Sequence, residues 1–446
     1  MKSRIIFSLA LLFSTVLLLT VALYNGYPLI NSDTGSYVKY AFDFQVPQDR
    51  SPFYGVFTGF SSLWLSLWGT VIVQAVLVVF LIYRYSMLFW DGRYPGPSIL
   101  LLMFLAIVVG THVTWVVSFV MPDIFSAILL LATLLYFFDK HSVRAYRLVY
   151  LFIVFISIAV HNSHYLIYLL FAMILCLVYL LRKQRDNLRK GVVLLSITVA
   201  NWLILCTLNY VKGFGFTLSS GSHVFVSAKL VETGIMKKYL DDSCGAKPLK
   251  LCQYKDELPN TLSEYLWEDY SPLYKVGGWQ GSKAENMIIA RDVFTSPVYL
   301  PIYIRKSIIN SGRQLVELQL PEVITPMNEQ SSPYNFISKH LPCELGLYKN
   351  ARQFTAALST GPLGNLYILV FLLSSCWVAL VFRKLPQKEM IKVIYCFLLL
   401  FIVLNAMITA TFSEVAGRFH YRVFWVLPAT NIFVLVNYYR GKYKPY

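Results

Sequence analysis

The sequence predicts an all-α polytopic membrane protein with about ten transmembrane helices and a mostly helical extracytoplasmic cap. The first observation is composition: the 446 residues are 57% hydrophobic and only 14% charged, whereas soluble domains carry roughly 25% charged residues. The second is the recurrence of apolar runs of about 20 residues, the length at which a helix crosses roughly 30 Å of hydrocarbon. The third is that the basic residues concentrate between these runs.

The apolar runs give the expected helices in order. Residues 5–23 follow a basic N-terminus but continue into Tyr24 without a small-x-small cleavage site, so we interpret them as an uncleaved first helix. The further spans are expected at 63–83, 98–118, 122–138, 148–162, 164–181, 191–210, 363–382, 391–411 and 422–438. They define an N-terminal membrane module (1–210, with a first extracytoplasmic loop at 24–62), a cap segment (211–362) and C-terminal membrane helices (363–446).

The distribution of charge predicts the orientation of the chain. The formal net charge is +16, and six short segments (1–4, 84–97, 139–147, 182–190, 383–392 and 440–446) together carry +15 of it. Lys and Arg on short loops remain in the cytoplasm during membrane insertion. We therefore expect both termini in the cytoplasm, and no basic patch remains for nucleic acid.

Two cysteines of the cap are candidates for a disulfide. Cys244 and Cys252 flank a turn that contains Gly and Pro, and an oxidising compartment would allow them to pair. Cys343 is the alternative partner or an unpaired thiol.

The first loop contains the most prominent polar motif. Asp33 follows Asn31-Ser32, and Arg50-Ser51-Pro52-Phe53-Tyr54 precedes the second span. One interpretation is that Asp33 caps a helix, because Ser-Asp-Thr before a helical stretch is a capping pattern.

This pattern resembles the GT-C superfamily of polytopic glycosyltransferases, which use polyprenyl-phosphate sugars and include protein mannosyltransferases and the aminoarabinose transferase of lipid A. The resemblance lies in Asp33 followed by Tyr37 and the basic-Pro-aromatic element at Arg50. It also lies in Met121-Pro122-Asp123 and in Gly417-Arg418-Phe419-His420-Tyr421-Arg422, which precedes Val426-Leu427-Pro428.

The resemblance implies a GT-C-like fold and an inverting hexosyl- or pentosyltransferase that acts on the extracytoplasmic side. The compact loops and the absence of eukaryotic retrieval or glycosylation signals lead us to expect a bacterial inner membrane. Its partners would be a polyprenyl-phosphate-linked donor and an extracytoplasmic lipid, glycan or protein acceptor, with no certain cofactor and a divalent metal left open. Asp33 would be the general base and Asp123 a second acid or orienting group. The candidate ligands of the donor phosphate are Arg50, Arg418, His420 and Arg422.

Each of these assignments has a structural alternative. Arg418 and Arg422 near a helix end could extend to the lipid headgroups. Pro122-Asp123 is also a good helix start.

Further residues form a second tier of candidates: Tyr37, Tyr54, His161, His164, Trp267 and Trp279. His161 and His164 could share a metal, although two ligands are too few without a third. Trp267 and Trp279 could stack on a sugar, pack the core of the cap, or anchor it at the membrane surface.

Three other functions compete with the transferase. A lipid or glycan transporter or flippase would place charged or Gly/Pro-broken positions within several spans. A glycan polymerase or ligase uses the same carriers and also has a large periplasmic loop. A non-catalytic assembly protein would tolerate replacement of Asp33.

Overall fold

The computed structural model describes residues 2–90, 96–318 and 324–442. It is 76% helical, and an isolated parallel bridge joins Leu29 and Phe119. The chain forms two compact units: unit 1 comprises Met1–Leu203, Leu318–Ile402 and His420–Tyr446, and unit 2 comprises Ile204–Glu317 and Val403–Phe419. The expected cap segment 211–362 is thus divided between the units.

The helices follow one another along the whole chain. Their bounds are α1 Lys2–Leu18, α2 Thr20–Asn25, α3 Thr34–Asp43, α4 Phe53–Ser62, α5 Leu67–Leu88, α6 Pro97–Gly110, α7 Val113–Ser118, α8 Phe125–Phe138, α9 Arg144–Ala159, α10 Asn162–Leu181, α11 Arg185–Val211, α12 Ser222–Glu232, α13 Ile235–Ser243, α14 Leu262–Trp267, α15 Pro272–Lys275, α16 Gly278–Gly281, α17 Lys283–Thr295, α18 Tyr299–Val316, α19 Ser332–His340, α20 Leu345–Lys349, α21 Leu363–Val381, α22 Lys388–Phe412, α23 Gly417–Phe424 and α24 Val426–Lys442. Short 3₁₀ turns lie at Pro122–Ile124, Lys250–Glu257, Pro342–Glu344 and Phe382–Lys384.

Six helical segments within the described residues are long and apolar enough to span a membrane. They are Leu67–Leu88, Asn162–Leu181, Arg185–Val211, Leu363–Lys384, Lys388–Phe412 and Gly417–Arg440, and shorter apolar helices lie at Ile5–Leu18, Pro97–Gly110 and Pro122–Phe138. The chain therefore has the character of a multi-pass membrane protein, while the count of about ten spans stays a prediction. Parts of the basic segments 1–4, 84–97 and 440–446 lie outside the described residues.

The centre of unit 1 is built around α8. Its residues are buried on every side from Phe125 to Leu135, as expected for a helix that is hydrophobic all round. Helices α5 and α9 pack directly against it. This packing places the start of α8, and with it Asp123, among the surrounding helices.

Two expected spans are each broken into two helices. Span 98–118 is divided between α6 and α7, because Thr111 adopts an extended conformation with φ −144° and ψ 166°. Span 422–438 is likewise covered by α23 and α24. Hydropathy alone does not reveal such breaks, since the residues on both sides of each break are apolar.

Part of the first loop is helical and is covered by a distant segment of unit 1. Gln353 accepts a hydrogen bond from the Ile30 amide at 3.0 Å and donates to the Ile30 carbonyl at 2.5 Å. Lys339 and His340 of α19 each lie 3.2 Å from the Asp43 carboxylate at the end of α3. The loop is thus fixed by contacts to residues about 300 positions later in the chain.

Unit 2 has its own hydrophobic core. Helices α12, α13, α14 and α17 contribute to it. Cys244 and Cys252 form a disulfide with their Cα atoms 5.7 Å apart. It joins the end of α13 to the 3₁₀ turn Lys250–Glu257, whose Lys250 and Leu251 amides donate to Glu285 of α17.

Candidate functional site

The Asp33 turn is positioned by the chain that leads into α8. The Leu29 amide donates to the Ser118 carbonyl at 2.8 Å, and the Val120 amide donates back to the Leu29 carbonyl at 3.0 Å. The Thr34 hydroxyl donates to the Val120 carbonyl at 3.1 Å. These bonds place the start of α3 beside the turn that carries Asp123.

Asp33 lies within an ion-pair cluster rather than capping α3 with its side chain. It occupies the N-cap position, but its carboxylate forms no capping hydrogen bond. Instead Arg50 Nη2 lies 2.8 Å from Asp33, and Arg50 Nε lies 2.9 Å from Asp49. Burial disfavours the charge of Arg50, but Asp33 and Asp49 outweigh this effect and raise the pKa of the guanidinium above its ordinary value. The cluster carries one net negative charge.

Aromatic rings connect this cluster to the outer end of α10. The Arg50 guanidinium lies 4.9 Å from the centre of the Tyr37 ring, within the range of a cation–π contact. The Tyr37 ring is 5.6 Å from the Tyr54 ring and 6.2 Å from the His161 ring. Burial, reinforced by the charge of Asp123, raises the pKa of Tyr54, so Tyr54 lies within the electrostatic influence of Asp123.

Asp123 forms a second ion pair, with Arg422 of α23. Arg422 Nη1 lies 3.2 Å from the Asp123 carboxylate, and Nη2 donates to the Ser163 hydroxyl at 3.2 Å. The Arg422 side chain is completely buried. One interpretation of the sequence was that Arg422 extends to the lipid headgroups. The complete burial of its side chain contradicts that interpretation.

His164 is held by two hydrogen bonds inside unit 1. Its Nδ1 lies 2.6 Å from the Ser157 carbonyl, which can only accept, so Nδ1 carries the proton. Nε2 then accepts from the Ser126 hydroxyl at 2.7 Å. The neighbouring His161 caps α10 by accepting from the Ser163 amide, and the two imidazole rings stack 5.0 Å apart.

The remaining predicted phosphate ligands lie in different units. His420 belongs to unit 1, where it is buried and its ring is 4.5 Å from that of Phe424. Arg418 belongs to unit 2, where its guanidinium lies 4.7 Å from the centre of the Phe419 ring. Trp267 and Trp279 are also in unit 2, with their ring centres 5.7 Å apart.

An apolar cavity of about 470 Å³ adjoins the polar site. Ala159 and Val160 line it immediately before His161, and Ala159 also accepts a hydrogen bond from Ser51, the neighbour of Arg50. The other lining residues are Phe53, Val56, Phe57, Phe60, Ser61, Val73, Phe155 and Ile156. The charged cluster is thus linked to the wall of an apolar space through the hydrogen bond from Ser51 to Ala159.

The sequence left open whether the chain binds a divalent metal, and the described residues contain no group of side chains that could hold one. Within residues 2–90, 96–318 and 324–442, no three His, Cys, Asp or Glu side chains are grouped so that they could hold a metal ion. His161 and His164 stack on one another and bind hydroxyl, amide and carbonyl groups.

Two acidic residues that take part in the packing of unit 1, Asp49 and Glu344, were not predicted from the sequence. Asp49 was visible beside Arg50, and an Asp-Arg dipeptide in a polar loop was the only signal of a shared ion pair. Glu344 had no local signal: its buried carboxylate accepts from Tyr27 Oη at 2.7 Å, from the Ser66 hydroxyl and from the Leu67 amide at 3.2 Å. It therefore caps the start of α5 from a distant part of the chain.

No protein-family model, curated protein or solved structure matches this chain.

Proposed function

We propose that the chain is a GT-C-type membrane glycosyltransferase that moves a sugar from a polyprenyl-phosphate donor to an extracytoplasmic acceptor. The observation that supports this best is the Ser51–Ala159 hydrogen bond, which connects the Asp33–Arg50–Asp49 cluster to the wall of the apolar cavity. A lipid-linked sugar joins a hydrocarbon chain and an anionic phosphate at one point, and Arg50 supplies a cation close to the apolar space. The donor sugar and the acceptor are not specified by these residues.

In the proposed reaction Asp33 is the general base. Its side chain is 16% exposed and forms an ion pair with Arg50. Asp33 takes the proton of an acceptor hydroxyl, whose oxygen forms a bond to the anomeric carbon. The bond from that carbon to the phosphate breaks, and the polyprenyl phosphate leaves with the electron pair.

Arg50 is the proposed ligand of the departing phosphate. Its Nε and Nη2 hold the two carboxylates, while a guanidinium has five N–H donors. Nη1 takes part in neither ion pair and would bind a phosphate oxygen. The Asp123–Arg422 pair, being buried, is proposed to orient Ser163 and the His161 turn rather than to touch the donor.

The test is mass spectrometry of envelope lipids and glycans from a deletion strain carrying the wild-type gene, Asp33→Asn or Asp43→Asn at matched expression. Asp43 is a matched control, because it lies in the same loop and pairs with Lys339 and His340. We expect a sugar that is missing in the deletion strain, restored by the wild type and by Asp43→Asn. Asp33→Asn should lower its formation about 100- to 10,000-fold, the usual contribution of a general base. Full restoration by Asp33→Asn would exclude Asp33 as the base.

The proposal includes an orientation, with both termini in the cytoplasm and the Asp33 loop in the periplasm of a bacterial inner membrane. Cys343 offers a native probe, because it is an exposed free thiol in unit 1. A membrane-impermeant maleimide should label it in intact spheroplasts, and labelling should disappear in Cys343→Ser. If Cys343 were labelled only after lysis, the proposed orientation would be wrong.

One observation favours a second candidate, a lipid or glycan transporter. Ionisable groups within membrane helices often mark transport pathways, and Arg422 is completely buried opposite Asp123. If the protein is a transporter, the deletion strain should accumulate an intact lipid-linked glycan on the cytoplasmic side. Expression of Asp33→Asn in that strain should then return the glycan to the outer face.

A further inference from the structure

Helix α18 of unit 2 is bonded to the short connection between two candidate membrane spans. These spans are Lys388–Phe412 and Gly417–Arg440, and residues 413–416 join them. Gln314 of α18 donates to the Ala416 carbonyl at 2.9 Å and accepts from the Ala416 amide at 3.0 Å. Because a connection of this length reaches at most about 18 Å, a chain that leaves one span and enters the next stays close to the membrane surface. A helix bonded to it lies there too.

A second contact shows that α18 runs alongside this connection. Tyr303 donates to the Thr411 carbonyl, in the last turn of α22, at 2.8 Å. Tyr303 and Gln314 are about 16 Å apart along the axis of a helix, and Thr411 and Ala416 are at most about 17 Å apart along an extended chain. The two lengths match, so α18 follows the path of the connection between the spans rather than projecting away from it.

The first two faces of α18 differ in burial although they adjoin one another. Tyr303, Asn310 and Gln314 are buried within unit 2. At 3.6 residues per turn, Ile304 and Ile308 lie roughly a third of the circumference away from them. These two side chains are 49% and 67% exposed. The exposed face of α18 thus includes an apolar stripe that unit 2 leaves uncovered.

The third face of α18 is basic. Arg305, Lys306 and Arg313 are exposed, and the helix contains no Asp or Glu. Glu317 directly follows the helix, but among the described residues none of the three cations lies within ion-pair distance of a carboxylate. Three positive charges therefore face outward beside the apolar stripe without a partner in unit 2.

We propose that α18 lies flat in the headgroup layer of the membrane and binds anionic phospholipids. Ile304 and Ile308 enter the boundary of the acyl chains, while Arg305, Lys306 and Arg313 bind lipid phosphates. An interfacial helix combines an apolar face with a basic face in this way, and each Lys or Arg near the surface adds attraction to anionic lipid. Both spans joined by the connection end at the headgroup layer, so lipid phosphates are the anions available at this depth. This proposal does not depend on sugar transfer.

The test is native mass spectrometry of the full-length protein, released from detergent micelles that contain phosphatidylglycerol, phosphatidylcholine or undecaprenyl phosphate. The variant combines Arg305→Gln, Lys306→Gln and Arg313→Gln. We expect it to retain at least one phosphatidylglycerol molecule fewer than the wild type, because the anionic headgroup loses its cations. Its retention of phosphatidylcholine and of undecaprenyl phosphate should not change.

The matched control combines Lys237→Gln, Lys238→Gln and Lys255→Gln. It removes the same charge from unit 2, but at lysines that are paired with carboxylates, and it should retain lipid as the wild type does. A second variant, Ile304→Ser with Ile308→Ser, keeps the cations and removes the apolar stripe. It should reduce the retention of both phospholipids.

Four results would overturn the proposal. The basic-face variant retains all its phosphatidylglycerol while circular dichroism shows it folded, or the lysine control loses as much phosphatidylglycerol. The isoleucine variant retains both phospholipids like the wild type. The basic-face variant loses undecaprenyl phosphate alone, which would assign the three cations to the donor instead of the membrane.

Discussion

At the scale of single residues, Arg422 and Asp123 form a buried ion pair next to Ser163. Replacing Arg422 by Met would leave the Asp123 carboxylate, of which only 12% is exposed, without its cation. Breaking such a pair costs about 3–5 kcal/mol, because an uncompensated charge remains buried. We expect Arg422→Met to lower the free energy of unfolding in detergent by this amount.

Arg189→Met is the control, because Arg189 is 81% exposed in its pair with Asp186 and exposed pairs contribute about 0–1 kcal/mol. The double variant Asp123→Asn, Arg422→Met should regain part of the loss, since both charges are gone. Equal destabilisation by Arg189→Met and Arg422→Met would show that the burial of Arg422 has no energetic consequence.

We expect Asp292 to make unit 2 sensitive to acid. Hydrogen bonds from Lys247 at 2.5 Å and from Tyr239 at 2.8 Å lower the pKa of its carboxyl. Because the pKa of Asp292 is lower in the folded chain than in the unfolded chain, its ionised form stabilises the fold at pH values above the unfolded pKa of about 3.9. This stabilisation is lost as the pH falls through the folded pKa. The protection factors for amide hydrogen exchange in 283–295 should therefore fall as the pH is lowered below about 4.

The Asp292→Asn variant should show faster exchange at pH 7 and a smaller further change on acidification. Asp269→Asn, at an exposed carboxylate, should behave like the wild type. An unchanged acid response in Asp292→Asn would assign the sensitivity to other groups.

Single residues of the site could be named from the sequence, but their partners could not. Asp33 and Arg50 both stood out as charges beside apolar runs, yet their pairing spans 17 positions and no periodicity connects them. Arg422 and Asp123 are 299 positions apart. Which cation meets which carboxylate depends on how α8, α10 and α23 pack, and that is decided by side-chain shape along each helix.

At the scale of secondary-structure elements, the close approach of α3 and α4 aligns Asp33 with Arg50. A Cβ added at Gly55 would lie 2.9 Å from the Tyr37 carbonyl oxygen and 2.8 Å from the Tyr40 Cβ. The Tyr37 carbonyl belongs to the backbone and cannot rotate away as a flexible side chain can. Gly55→Ala should therefore force α3 and α4 apart. We expect a loss of about 1–3 kcal/mol, typical of overpacking, together with a large loss of sugar transfer.

Gly346→Ala is the matched control in α20, where an added Cβ meets no atom within 4 Å. It should leave thermal stability and transfer near the wild-type level. If Gly55→Ala retained both, the alignment of Asp33 and Arg50 would not depend on the contact between α3 and α4.

The positions of the long apolar helices could be predicted because hydropathy is a local property. The expected span 363–382 corresponds to α21, and 391–411 lies within α22. The first loop was harder, because α3 and α4 are only ten residues each and their apolar faces become evident only once they pack together.

At the scale of the whole chain, unit 1 gathers segments that the sequence separates widely. Residues 324–360 were expected within the cap, but they pack on the first loop through Gln353 and Lys339. Such contacts leave no local signature, because each residue is an ordinary polar side chain in its own stretch of sequence. Domain boundaries drawn from hydropathy therefore separate the segment 324–360 from the first loop, although long-range hydrogen bonds join the two in the folded chain.

Glu344 is the residue on which this long-range assembly of unit 1 should depend most. It is buried and joins three parts of the chain, since Tyr27, Ser66 and the Leu67 amide all donate to its carboxylate. Hydrogen bonds to a charged group contribute about 1.5–3 kcal/mol each in favourable cases. Glu344→Ala should therefore destabilise unit 1 by about 3 kcal/mol or more and expose the first loop to protease, and Glu344→Gln should retain part of the stability.

Glu329→Ala removes an exposed carboxylate paired with Lys349 and should change neither measurement. Protease resistance of the Glu344→Ala loop equal to that of Glu329→Ala would show that the loop is held by Gln353 and α19 without this carboxylate.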